Sequence, residues 1–205
     1  MTRAVAPTAP VRGRVTSADG TVVAYERRGE GPPLVLVGGA LSPRRGEWRL
    51  AGLLAERFTT YTYDRRGPGG GAAGCGPERE VDDLAALVAE AGPGAGVHGL
   101  PSGGALVLAA AAGVLPVARL SVYEPPYGED DDAHDGVPSE LLARVRQRVL
   151  VLDGGASPRW PRGAARAVAR ALPHARHGTL TGQPMWWPRT PWPRSWRRST
   201  RGERG

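Results

Sequence analysis

Few residues in this chain have the chemistry to break a covalent bond, and most of them sit at the ends of β-prone runs. Ser102 lies in a tight glycine-rich bend, Gly99-Leu100-Pro101-Ser102-Gly103-Gly104. Two carboxylates follow apolar runs: Glu124 after Leu120–Tyr123 and Asp153 after Val149–Leu152. His98, His174 and His177 supply imidazoles. A hydroxyl on a strand-to-helix turn, an imidazole base, an orienting acid and two backbone N–H groups together perform acyl transfer. Cys75, the single cysteine, lies in a glycine-rich loop with no histidine near it and reads as an incidental thiol. One cysteine excludes an internal disulfide and fits a reducing compartment. The carboxylates Glu129-Asp130-Asp131-Asp132 are consecutive, whereas a metal needs convergent ligands, so they read as a solvated loop and no metal or other cofactor is expected.

The chain must also build elements to hold these groups. Its 205 residues suffice for one domain with a core, and 40% of them are hydrophobic. With 30 Gly and 20 Pro, many turns separate short elements. The net charge of +7 does not by itself imply nucleic acid: every basic residue is Arg, and Lys, Asn and Ile are absent, as a GC-rich coding sequence produces. From Met185 onward stand six Arg against one Glu, so most of the excess belongs to a terminal tail. No nucleic-acid or membrane partner is expected. No signal peptide is evident, the weakly polar run Ala105–Ala118 is too short to span a bilayer, and a cytoplasmic location follows.

Alternating strands and helices organise the middle of the chain. Arg14–Ser17 and Thr21–Tyr25 flank Asp19-Gly20 as a hairpin. Leu34–Val37 reads as a strand buried on both faces and ends at Gly38-Gly39. Helices are expected over Glu47–Arg57, Glu78–Ala91, the Ala-rich stretch to Gly113, Ser139–Arg146 and around Ala164–Leu172. Strands are expected over Phe58–Tyr63, Gly96–Leu100, Leu120–Tyr123, Val149–Leu152 and Arg176–Thr181. Residues 1–10 form a leader, 11–183 the domain, and 184–205 a Trp/Pro/Arg tail without period. The pattern implies an α/β fold, a mostly parallel twisted sheet with helices on both faces.

In this order the motifs resemble the α/β-hydrolase fold family, of serine ester and amide hydrolases. The resemblance rests on the Asp-Gly hairpin, Leu34–Ala40, Asp64-Arg65-Arg66-Gly67, the Gly99–Gly103 bend, Tyr123-Glu124-Pro125-Pro126 and Val149–Gly155. It implies that Gly99, Pro101 and Gly103 form a nucleophile elbow. It implies oxyanion amides from Ala40, or Gly39, and from Ser102. The nucleophile position itself holds Pro101, which has no atom to attack with. Ser102 stands one residue late; a slip by one position would make it a nucleophile, though Leu100 would then fill a place that favours small residues. The acid implied after the sixth strand is Glu124; after the seventh, Ser157-Pro158 stands where Asp-Pro is usual, and Asp153 is a weaker alternative.

The implied histidine should follow the last strand, and no histidine follows His177. His174 and His177 come too early and read as surface residues, and His98 as a strand residue. Met and Trp have one codon each, so Met185-Trp186-Trp187-Pro188 is ATG TGG TGG CCN. Read one base earlier, it becomes NAT GTG GTG GCC, which is His, Asn, Asp or Tyr followed by Val-Val-Ala. Trp192-Pro193 becomes Leu, Val or Met followed by Ala, again apolar. A frameshift near Pro184 therefore accounts together for the tail's composition, its lost period and the lost histidine. A genuine interfacial Trp/Arg tail is the competing reading. The expectation is a degenerate member, a pseudoenzyme with a reduced lid and no last helix, able to take at most a small acyl-type ligand. Weak esterase activity through Ser102 and a non-catalytic binding module are the alternatives. Missing cover would expose apolar sheet surface and favour self-association.

Overall fold

The computed structural model describes residues 9–39, 45–66, 76–113, 115–117, 119–127 and 137–184. Eight strands form one sheet in the order β1-β2-β4-β3-β5-β6-β7-β8. In chain order these are β1 (Val11–Thr16), β2 (Val22–Arg28), β3 (Pro33–Val37), β4 (Thr59–Tyr63), β5 (Gly96–Gly99), β6 (Arg119–Tyr123), β7 (Arg148–Gly154) and β8 (Ala175–Leu180). β1 and β2 pair antiparallel, β2 runs antiparallel to β4, and every later pairing is parallel. The helices are α1 (Arg45–Leu54), α2 (Pro77–Ala91), α3 (Pro101–Ala112), α4 (Ser139–Ala143) and α5 (Arg159–Ala171).

Local chemistry explains the elements. At the hairpin, Asp19 Oδ1 accepts the Thr21 N–H at 3.0 Å, and Gly20 takes the positive φ of 85° that the turn requires. Strands β3 and β5 lie in the middle of the sheet with neighbours on both sides, and their apolar runs are buried on both faces. One face packs Val35, Val37, Tyr61, Val97, Val122 and Val151 against α2, α3 and α5. The other packs Leu34, Leu36, Tyr123, Leu152 and Leu180 into a second cluster with α1. The alternation along each strand divides the two sets, as a period of two demands.

Bare sheet surface was expected in the absence of a last helix, and this is corrected: Leu36, Leu152 and Leu180 are buried. The large hydrophobic residues exposed among the described ones are Val11, Val22, Leu53 and Trp160, which do not belong to that cluster. α5 begins five residues before the expected Ala164, because Pro161 falls within its first turn, where a missing N–H breaks no helical bond. No helix among the described residues is long and apolar enough to cross a membrane.

Buried polar pairs tie layers together. Asp83 on α2 is fully buried and ion-paired with Arg66 beyond β4, which also grips Asp19 of the hairpin. His98 is fully buried in β5, with Nδ1 2.8 Å from Ser121 Oγ on β6. Burial pushes its pKa from 6.5 down to about 4, so it stays neutral in the fold.

Two outcomes are expected. Arg66→Ala strands the Asp83 carboxylate in the core and lowers stability by about 3–5 kcal/mol in urea unfolding. Because the unfolded chain binds the His98 proton more readily, stability is full above pH 6.5 and falls as pH drops toward 4, by up to roughly 3 kcal/mol. His98→Asn, compared by thermal melts across that range, should flatten this part of the profile.

Candidate active site

The carboxyl ends of the parallel strands bring the chemistry-bearing turns to one edge, where open α/β sheets bind ligands. Gly38-Gly39 follow β3, Asp64-Arg65 follow β4, Leu100–Ser102 follow β5, Glu124 follows β6, and the segment ending at Pro184 follows β8.

The bend after β5 is tight. Leu100 is extended (φ −87°, ψ 160°), its N–H bonds the Val37 carbonyl at 2.9 Å, and its own carbonyl accepts the Gly104 N–H at 2.7 Å. A Cβ on Gly99 would stand 2.5 Å from Gly104 Cα, and one on Gly103 would collide with the Val37 and Gly38 carbonyls. Both positions need glycine for close approach. Pro101 is the first residue of α3, where its fixed φ suits a helix start. The proline ring and the bend therefore do not conflict. Among the described residues, the only non-glycine with positive φ is Glu124, at 45°.

Ser102 is the second residue of α3 and half-buried, near the positive end of the helix dipole. Its Oγ lies 3.5 Å from Arg65 Nη1, which also donates to the Gly38 carbonyl at 3.0 Å. Arg65 is held by Glu80, with bonds of 3.0 and 2.7 Å from Nε and Nη2. A guanidinium cannot accept a proton, so this contact supplies no base. Sequence reasoning overlooked Arg65; its signal is the extra cation in Asp64-Arg65-Arg66. It also overlooked Glu47, buried on α1, whose carboxylate lies against Gly38 so closely that a Cβ there would overlap it. Gly39 is half-buried after β3. Ala40 lies outside the described residues, as do Cys75, the run Glu129–Asp132, the leader to residue 8 and the tail from Met185.

Glu124 is buried. Its Oε1 accepts the Gly154 N–H at 2.8 Å, and its own N–H bonds the Leu152 carbonyl at 2.9 Å. Burial raises its pKa, while the nearby Ser157 hydroxyl and the hydrogen bond from the Gly154 amide oppose the rise. Around Gly154 crowd the Tyr123 hydroxyl, Ser157 Oγ and the Gln183 carbonyl, leaving no room for a side chain. Tyr123 donates to the Pro184 carbonyl at 2.9 Å and Ala156 to the Gln183 carbonyl at 3.0 Å. The chain leaving β8 is thus fastened beside the β6 and β7 ends.

Two histidines stand as expected, His98 as a residue of β5 and His174 exposed just before β8. His98 is inside the sheet, bonded to Ser121. His177 is not a plain surface residue: its Nε2 lies 2.9 Å from Oδ2 of the fully buried Asp153. Their strands are adjacent, and His177 stands opposite Val151, two residues before Asp153 on the same face. Asp153 is therefore engaged with β8 and α5, apart from Glu124's own bonds.

Solved structures share this architecture. An α/β hydrolase from Sphaerobacter thermophilus is 36% identical, with a TM-score of 0.75 over 83% of this chain and 93% of that one. The chain belongs to the α/β-hydrolase family. At lower identity, a thermophilic esterase from Thermogutta terrifontis (18%, TM-score 0.71, 85% of this chain and 91% of that one) shares the fold. So does a bromoperoxidase from Bacillus anthracis (16%, 0.69, 86% and 93%). No family model matches the sequence, and no curated protein does. In this α/β-hydrolase, Gly103→Ala should lower stability by roughly 3 kcal/mol or prevent folding, since backbone carbonyls must move to admit the methyl; differential scanning calorimetry checks it.

Proposed function

We propose that this α/β-hydrolase is an impaired or inactive relative of ester- and amide-cleaving enzymes. The observation that carries the reading is Pro101 as first residue of α3, where the resemblance implies a nucleophile. Glu124 is the acid in this reading: it is buried, fixed by the Gly154 amide and next to Tyr123, which holds the chain at Pro184. Position 185 then follows directly on the fastened residue, which favours a frame change there as the origin of the lost imidazole. The ligand class is a small acyl compound, and the setting a reducing cytoplasm.

A second reading, weak esterase activity through Ser102, is favoured by its half-buried place in the first turn of α3. A binding module acting without catalysis is the third.

Purified protein should hydrolyse p-nitrophenyl acetate no faster than buffer containing Ser102→Ala protein; activity that Ser102→Ala abolishes would reverse the assignment. Pro101→Ser combined with Met185→His should raise kcat/KM at least about 100-fold over the starting chain. Adding Glu124→Gln should then remove most of the gain. Reading the codon for Pro184 tests the frameshift, since any third base other than C eliminates its lost-histidine form.

A further inference from the structure

We propose that the outward face of α5 is a docking ridge for single-stranded nucleic acid, a role independent of the hydrolase reading. Arg159, Arg162, Arg166 and Arg170 recur at intervals of three, four and four residues. At about 100° per residue they fall in one stripe roughly 80° wide and about 16 Å long. The opposite face, with Pro161, Ala165 and Val168, is buried beneath the helix. Between Gly154 and Pro184 the sequence contains no Asp or Glu. The acid that reaches the stripe is Asp153, whose carboxylate oxygens lie 3.8 Å from Arg162 Nε and 3.9 Å from Arg166 Nε. Those separations give attraction without good hydrogen bonds; Arg166 is half exposed, whereas the Arg162 Nε is buried toward Asp153, so Arg162 forms the inner edge of the ridge. Arg159 and Arg170 are exposed.

Two further features give the ridge its shape. Gly163 borders the stripe, and a Cβ there would meet nothing within 4 Å, so that flank of the ridge is open to close approach. Trp160, 64% exposed, stands beside Arg159 at one end as a flat face on which a base can stack. Successive arginines rise by about 4.5–6 Å along the helix, a row of cations suited to a chain of phosphates. A bilayer fits less well, because a helix lying on a membrane inserts its apolar face and α5 spends that face on the sheet. The chain-wide charge balance gives no reason to expect such a partner; the placement of four arginines on one helix face does.

The test is fluorescence anisotropy of a labelled 20-nucleotide oligothymidine with the full chain, titrated at several salt concentrations. Arg159→Gln/Arg170→Gln should weaken binding at least fivefold and make the slope of log K against log salt shallower by about 1.4. Trp160→Ala should weaken binding while leaving that slope unchanged. Both are solvent-facing changes, and circular dichroism melts will show that the fold is retained. Absence of binding at low salt overturns the proposal. So does binding that neither variant alters, which would assign it to the Arg-rich tail, or preferential binding to phosphatidylserine vesicles.

Discussion

The start of α3 lies so close to the end of β3 that no side chain fits between them. Gly103 faces the Val37 and Gly38 carbonyls, and Gly99 faces Gly104. This contact sets the angle at which the helix leaves the sheet and so the place of every group on its first turn. It is a backbone constraint and does not depend on a reactive atom at position 101. Proline there satisfies it, since a helix start tolerates both its fixed φ and its missing donor. The bend thus keeps its geometry with a proline ring at its tip.

Charge organises the rest of the edge. Arg65 joins α2, the turn after β3 and Ser102 through one guanidinium, while Arg66 joins the hairpin to buried Asp83. Neighbouring cations in one turn thus serve different layers. On the other side of the bend, Glu124 adopts a left-handed conformation that a side chain seldom takes, and it bonds a β7 amide rather than solvent. The hydroxyl of Tyr123, next to it in sequence, clamps the exit of β8.

Much of the architecture was legible from the residues. The apolar run at Leu34–Val37, the Asp-Gly turn and the helix over Glu78–Ala91 each follow from a local period or turn chemistry, and their elements lie within a few residues of expectation. α5 was read as starting near Ala164, whereas the helix packed against β7 and β8 begins at Arg159 and takes Pro161 into its first turn. Glu124 was identified as a candidate, but its burial was open, since a residue just past a strand can face either water or its neighbours. His177 looked superficial because its partner, Asp153, is 24 residues away.

The amino-acid sequence by itself determined the order of strands and helices and the absence of a nucleophilic atom at position 101. Those follow from periodicity and from the covalent structure of proline. Tertiary structure alone decided that Arg65 reaches Ser102, that Asp153 takes His177 and that Glu124 is shut from water. Each of these depends on which strand ends become neighbours, and the parallel crossovers that make them neighbours join residues far apart in the chain.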